Sequence, residues 1–194
     1  LDADFLAFSG HKMLGPSGIG VLYVKYRLLN KLEPFLTGGE TVEYATYREH
    51  KLLSPPEKFE AGLQDYAGIM GFTEAVRYLE QVGFDQIAEQ EYKLNKFITD
   101  EIAKTPAVKI IGPKDPSLRG SIISFYIDGI DSHQIALMLD EASNIMIRSG
   151  QHCVHSWFDS NKIKNSARVS LYFYNTIKEA EIFIASLNKI LKLL

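Results

Sequence analysis

The sequence predicts an α/β protein with two parts: a portion of a larger sheet, followed by a small two-layer α/β domain. From residue 84 onward, helical and strand-like patterns follow the order helix, strand, strand, helix, strand, strand, helix. This order favours helices that cover one face of a mainly antiparallel sheet. Residues 1–83 hold two strand-like runs and a long helix that resemble one part of a larger sheet. We therefore expect two domains, residues 1–83 and residues 84–194, the first of them incomplete.

Apolar runs and their breakers predict the elements of the first domain. Two β-branched and aromatic runs flank a segment with glycines and a proline, which places Lys12 on a loop at a strand end. Farther on, Ile69, Phe72 and Leu79 belong to an apolar series with spacings of three and four, as in a helix. The predicted elements are strands at 4–8 and 18–25, a short helix at 26–32, an irregular connection at 37–62 and a helix at 65–81.

The second domain shows clearer periodicity. Its two central β-branched runs are separated by a turn region with Gly, Pro and Asp. In one of its helices, Ile135, Leu139 and Ala142 are expected on a single apolar face. The predicted elements are helices at 84–103, 132–142 and 177–194, and strands at 108–111, 122–127, 145–148 and 168–174.

The composition is that of a globular protein without an internal disulfide. The 194 residues are 46% hydrophobic and 23% charged, with a formal net charge of −3, so neither nucleic acid nor a membrane surface is a predicted partner. No segment reaches the roughly 18 uninterrupted apolar residues of a membrane span. Cys153 is the single cysteine, which fits a reducing compartment. We expect a cytoplasmic protein.

Local patterns single out three candidate reactive residues, each with a plainer alternative. Lys12, on a glycine-bordered loop, is a candidate Schiff-base nucleophile or an ordinary surface lysine. Cys153, next to His152, is a candidate thiolate nucleophile or a buried structural cysteine. Arg168, in a strand, is a candidate carboxylate ligand or an edge-strand charge. No metal site is expected, because the ligand spacing of a structural zinc site is missing.

Four motifs together identify a family resemblance. The segments FSGHKMLGPSGIGVLYVK (8–25), FEAG (59–62), RSGQHC (148–153) and RVSLYFYNT (168–176) resemble those of cysteine desulfurases of the class V aminotransferase group. The similarity is greatest to the subgroup that includes selenocysteine lyase-like enzymes. It implies an aspartate aminotransferase-like fold that binds pyridoxal 5'-phosphate. It also implies that this chain is the C-terminal half, with the remnant of the large cofactor-binding domain followed by the small domain.

The same resemblance assigns the cofactor residues. Lys12 corresponds to the lysine that binds pyridoxal 5'-phosphate covalently and later moves protons. Ser9 and His11 correspond to residues that contact the cofactor phosphate. Family members commonly have a hydroxyl residue after FEAG, where this chain has Leu63.

Catalytic and substrate-binding roles also follow from the resemblance. Cys153 corresponds to the nucleophile that takes sulfur from the substrate as a persulfide, and His152 is a proton-transfer neighbour. Arg168 corresponds to the ligand of the substrate carboxylate, supported by Arg148. Gln151 occupies a position where many relatives have a second histidine.

The implied function is conversion of L-cysteine to L-alanine, with sulfur passed to an acceptor or iron–sulfur scaffold protein by a homodimer. The chain alone is expected to be inactive, because a full family member is roughly twice as long. Two alternatives remain: a lyase acting on selenocysteine or cysteine sulfinate, and a non-catalytic module for dimerisation or partner binding.

Overall fold

The computed structural model describes residues 2–194, so Leu1, which falls in the first predicted domain, lies outside the described residues. The chain divides into two compact units after Val82. Both combine helices with β-strands, and the α/β class predicted from the sequence is confirmed. None of the described helices has the combined length and apolar character that crossing a bilayer requires.

The first unit begins with an antiparallel pair of strands. Strand β1 (Phe5–Ser9) pairs with β2 (Gly20–Val24), with Ser9 opposite Gly20. The link between them contains a 3₁₀ turn at Gly10–Met13. A single helical turn, α1 (Tyr26–Leu29), follows β2 and is shorter than the predicted helix at 26–32.

A hairpin lies where the sequence predicts an irregular connection. Strands β3 (Val42–Ala45) and β4 (His50–Leu52) pair antiparallel. Thr46 closes their link, because its amide donates to the Glu49 carbonyl and its hydroxyl accepts from the Glu49 amide. Both strands are short and mostly exposed, so they lack the apolar alternation by which a strand is recognised.

Helix α2 (Tyr66–Val82) ends the first unit. The Asp65 carboxylate accepts a hydrogen bond from the Gly68 amide and so caps its first turn. Phe72 and Leu79 are buried as predicted, whereas Ile69 is 44% exposed. The apolar series therefore predicts the helix correctly but not the exposure of every member.

The second unit is a two-layer α/β domain. Its strands form one sheet in the order β5-β6-β8-β7, in which every neighbouring pair is antiparallel. Ile123, Phe125 and Ile127 of β6 are buried in the same cluster as apolar residues of the three long helices. The elements are α3 (Phe84–Ile102), β5 (Val108–Ile111), β6 (Ile122–Ile127), α4 (Ser132–Ser143), β7 (Arg148–Gly150), α5 (His155–Ser160), β8 (Ser166–Ser170) and α6 (Ile177–Leu191).

Helix α4 ends one residue later than predicted, at Ser143, and the strand that follows also begins later than predicted. Asn144 adopts a left-handed conformation, and the amide of Ile145 donates back to the carbonyl of Leu139 in α4. Because this amide serves the helix end, β7 begins at Arg148 and not at residue 145. Ala142, predicted on the buried face of α4, is exposed.

Strand β8 and helix α5 also differ from prediction. The predicted strand at 168–174 is β8 at Ser166–Ser170. It stops early because the Asn175 side chain accepts from the amide of Tyr172 and turns the chain. Helix α5, at His155–Ser160, was not predicted, since six residues are too few to show helical periodicity.

Candidate active site

Lys12 lies on the tight turn that follows β1. The turn at Gly10–Met13 is 3₁₀-helical, not the irregular loop that the sequence predicts. The Gly15 amide donates to the Gly10 carbonyl, and a Cβ at Gly15 would lie 2.9 Å from that carbonyl oxygen. The close approach therefore requires glycine. It leaves His11 and Lys12 exposed, with Ser9 partly buried at the strand end.

Cys153 lies in a tight turn with unusual backbone geometry. The Val154 amide donates to the Gln151 carbonyl over 2.9 Å, and both central residues have positive φ: 49° for His152 and 65° for Cys153. Turns of this kind normally contain Gly or Asn at these positions. The Gln151 side chain donates to the Lys164 carbonyl and so fixes one end of the turn. Because Cys153 is exposed, the alternative that it is a buried structural cysteine is wrong.

His152 is partly buried, whereas its neighbour Cys153 is exposed. Its Nε2 lies 2.9 Å from Oγ of Ser166, and its Nδ1 is buried and has no hydrogen-bond partner among residues 2–194. The Phe158 ring lies 6.2 Å from the imidazole, centroid to centroid. Burial lowers the pKa of His152 below its ordinary value, and the charges of Arg168 and Arg148 lower it further. The ring is therefore biased towards its neutral form.

Two arginines face each other across neighbouring strands beside this turn. Arg148 of β7 is directly opposite Arg168 of β8. Arg148 Nη2 donates to Cys153 Sγ at 4.0 Å, and Arg168 Nε donates to Ser170 Oγ at 3.2 Å. Like charges directly opposite each other destabilise a sheet, so an anion between them would relieve the repulsion. Because β8 is an interior strand, the edge-strand alternative for Arg168 is wrong.

The family model for Aminotransferase class-V matches residues 1–183. The chain belongs to the class-V aminotransferase family. The RSGQHC segment of this family member is β7 together with the first three of the four residues of the Cys153 turn.

Curated relatives of this family member are named as cysteine desulfurases or probable cysteine desulfurases. A probable cysteine desulfurase of Halobacterium salinarum is 41% identical over 97% of this chain and 45% of the relative. One from Pyrococcus abyssi is 39% identical over 99% of this chain and 48% of the relative. The chain thus spans about half the length of the curated relatives it matches, and it corresponds to their C-terminal half.

Solved structures agree in fold. The apo cysteine desulfurase of Thermococcus onnurineus has a TM-score of 0.94 at 38% identity, covering 99% of this chain and 48% of the other. The cysteine desulfurase CsdA of Escherichia coli, with an S-sulfonic acid, has a TM-score of 0.91 at 32% identity, covering 100% and 47%. A C-DES mutant with glycine covalently linked to its PLP cofactor, 20% identical with a TM-score of 0.77, shares the fold.

Each unit carries one cluster of the residues that the sequence singles out. Ser9, His11 and Lys12 are on one turn of the first unit. The second unit brings four other residues together around one turn and two strands: Arg148, His152, Cys153 and Arg168. Among residues 2–194, no group of three or more His, Cys, Asp or Glu side chains is arranged to hold a metal ion.

Sequence reasoning missed two serines that contact histidines. Ser166 Oγ contacts His152, and Ser149 Oγ lies 3.2 Å from Nδ1 of His133. Ser166 precedes Arg168 by two residues, so both belong to one face of β8. That spacing is the only sequence signal for Ser166, and it does not reveal a histidine fourteen residues earlier.

Proposed function

We propose that this chain supplies the C-terminal half of a pyridoxal-phosphate-dependent cysteine desulfurase, which converts L-cysteine to L-alanine and takes the sulfur onto Cys153. The observation that carries the proposal is the exposed thiol of Cys153, held in a strained turn, with Arg148 4.0 Å from its sulfur. The names and folds of the relatives support the same reaction.

The turn after β1 has the donor set that the cofactor requires. Within four residues it offers a primary amine, a hydroxyl and an imidazole, from Lys12, Ser9 and His11, and the amine is exposed. When bound, pyridoxal 5'-phosphate acts as an electron sink that stabilises negative charge at the substrate Cα. We propose that Lys12 Nζ binds the cofactor covalently and then moves the Cα proton, while Ser9 and His11 contact the phosphate.

The arginine pair is the proposed site for the substrate carboxylate. A planar guanidinium can donate two parallel N–H bonds to a carboxylate. Arg168 is partly buried, on an interior strand, which limits the positions its fork can adopt. Arg148 adds a second positive charge from the neighbouring strand. A bound carboxylate therefore compensates charges that otherwise repel each other.

Cys153 is the proposed sulfur acceptor. Its thiolate attacks the γ-sulfur of the substrate, so an S–S bond forms and the Cβ–S bond breaks. The electron pair of the broken bond stays with the carbon fragment, whose Cβ is then protonated to the methyl group of alanine. Arg148 orients the sulfur through its contact of 4.0 Å, and the neutral imidazole of His152 is the neighbouring proton carrier.

The remaining partners belong to the same proposal. A persulfide on an exposed turn is accessible to the thiol of a sulfur-acceptor or iron–sulfur scaffold protein. We propose a homodimer in a reducing, cytoplasmic compartment, as the resemblance and the single cysteine suggest.

A hybrid protein tests the proposal, with this chain replacing the matching half of the Thermococcus onnurineus desulfurase. Borohydride reduction with pyridoxal 5'-phosphate should label Lys12, and label on another lysine instead contradicts its assignment. The hybrid should release alanine from L-cysteine, and Cys153→Ala should lose most of this release while Lys12 is still labelled. Undiminished alanine release by Cys153→Ala would instead favour the lyase acting on selenocysteine or cysteine sulfinate.

A further inference from the structure

Ser166 lies at the start of β8 and is fully buried. It belongs to the same face of the strand as Arg168, whereas Ala167 and Val169 belong to the apolar core on the other face. Its hydroxyl oxygen is 2.9 Å from Nε2 of His152. A rigid interior strand therefore contacts the residue that immediately precedes the candidate nucleophile.

The imidazole can be neutral in two forms, with its proton on Nε2 or on Nδ1. Nδ1 is buried and has no partner in the part of the chain that the structure describes. A proton on Nδ1 would be a buried donor without an acceptor, which is costly. A proton on Nε2 instead points at the hydroxyl oxygen of Ser166, which can accept it.

We propose that Ser166 is a positioning residue whose hydroxyl accepts a hydrogen bond from Nε2–H of His152 and fixes the imidazole in this single tautomer. The lone pair is then on Nδ1, so the contact with Ser166 defines which ring nitrogen can take up a proton. His152 is itself one of the two central residues of the Cys153 turn. Any role of this imidazole in sulfur transfer rests on the proposed function, whereas the tautomer itself does not.

Nuclear magnetic resonance of the histidine ring nitrogens in the 194-residue chain tests the proposal without cofactor or substrate. In the unsubstituted chain, Nε2 of His152 should show a protonated, pyrrole-like signal and Nδ1 a pyridine-like signal. Ser166→Ala should lose this separation and give averaged signals, and Ser166→Thr, which keeps the hydroxyl, should restore it. The matched control is Ser149→Ala, which removes a hydroxyl from another histidine, His133, and should leave the His152 signals unchanged.

Three results would overturn the proposal: a proton on Nδ1 in the unsubstituted chain, averaged signals there, or an unchanged Nε2 tautomer in Ser166→Ala. If Ser166→Ala does not fold, Ser166→Cys replaces it, because a thiol of similar volume accepts hydrogen bonds only weakly. Averaged signals in that variant support the proposal and an unchanged tautomer contradicts it. A negative result here leaves alanine release by the hybrid unaffected, so failure of this inference is distinguishable from failure of the desulfurase assignment.

Discussion

Cys153 combines exposure with a backbone conformation that costs stability. Its φ of 65° is in the left-handed region, where a non-glycine residue carries a strain of roughly 1–3 kcal/mol. Glycine removes that strain but loses more chain entropy on folding. We predict that Cys153→Gly is about 1 kcal/mol more stable to urea unfolding than Cys153→Ala. Equal stabilities of the two variants would show that the turn is not strained at this position.

Arg168 is expected to act through the shape of its side chain as well as through its charge. We predict that Arg168→Lys in the hybrid weakens use of L-cysteine, seen as a raised KM, by on the order of 1–3 kcal/mol. An ammonium cannot make the two parallel hydrogen bonds of a guanidinium. The control is Arg77→Lys, which preserves charge at an exposed arginine of α2 paired with Glu74. An unchanged KM in Arg168→Lys would remove this arginine from the substrate site.

Sequence reasoning identified the reactive groups more readily than the residues that hold them. Lys12 and Cys153 belong to recognisable motifs, and both prove to be exposed. The contact of Ser166 with His152 and the position of Arg148 opposite Arg168 depend on how two strands pair. Register is a tertiary property, so a single sequence does not reveal which side chains meet across a sheet.

The 3₁₀ turn after β1 depends on a close approach of its own backbone. A Cβ at Gly15 would crowd both the Gly10 carbonyl and the Phe72 ring. We predict that Gly15→Ala destabilises the first unit by about 1–3 kcal/mol, the usual cost of overpacking. Gly39→Ala is the control, since a Cβ at Gly39 meets no atom of the described residues within 4 Å. Urea unfolding compares the two, and equal stabilities would mean that the turn tolerates a side chain.

Helix α6 begins with a reciprocal cap that makes its stability depend on pH. Thr176 and Glu179 accept each other's backbone N–H groups, and the bond from the Thr176 backbone is the main cause that lowers the pKa of Glu179. Because the folded pKa is lowered, this stabilisation is present above the ordinary glutamate pKa and is lost as pH falls through the folded value.

We therefore predict that Glu179→Gln is less stable than the unsubstituted chain at about pH 7, and that the difference shrinks as the pH falls towards about 3 and the carboxylate takes up a proton. The measurement is urea unfolding at both values. Glu181→Gln, outside the cap, is the control. A stability difference for Glu179→Gln that persists unchanged at low pH would contradict the role of the charge.

The elements that were predicted best are those with long or β-branched apolar patterns. Strands β5 and β6 begin and end where the sequence predicts, and α3 agrees to within one residue. Hairpin β3–β4 and helix α5 were missed because they are short and carry no apolar series. Strand β8 ends earlier than predicted because of the Asn175 side chain, and β7 begins later because α4 ends at the left-handed Asn144. Such local hydrogen bonds compete with the strand pattern and are not visible in it.

The chain as a whole matches relatives about twice its length. We predict that the 194-residue chain with pyridoxal 5'-phosphate shows little or no alanine release from L-cysteine, whereas the hybrid is active. The reason is that the cofactor needs contacts to its ring as well as to Lys12 to be an effective electron sink. Turnover by the chain alone at the rate of the hybrid would contradict this expectation.

The persulfide tests the central claim most directly. The hybrid is allowed one turnover with L-cysteine in the absence of reductant and is then digested for mass spectrometry. The peptide that contains Cys153 should gain the mass of one sulfur atom, and a thiol reductant should remove it. Formation of alanine with this peptide unmodified would contradict the claim that Cys153 accepts the sulfur.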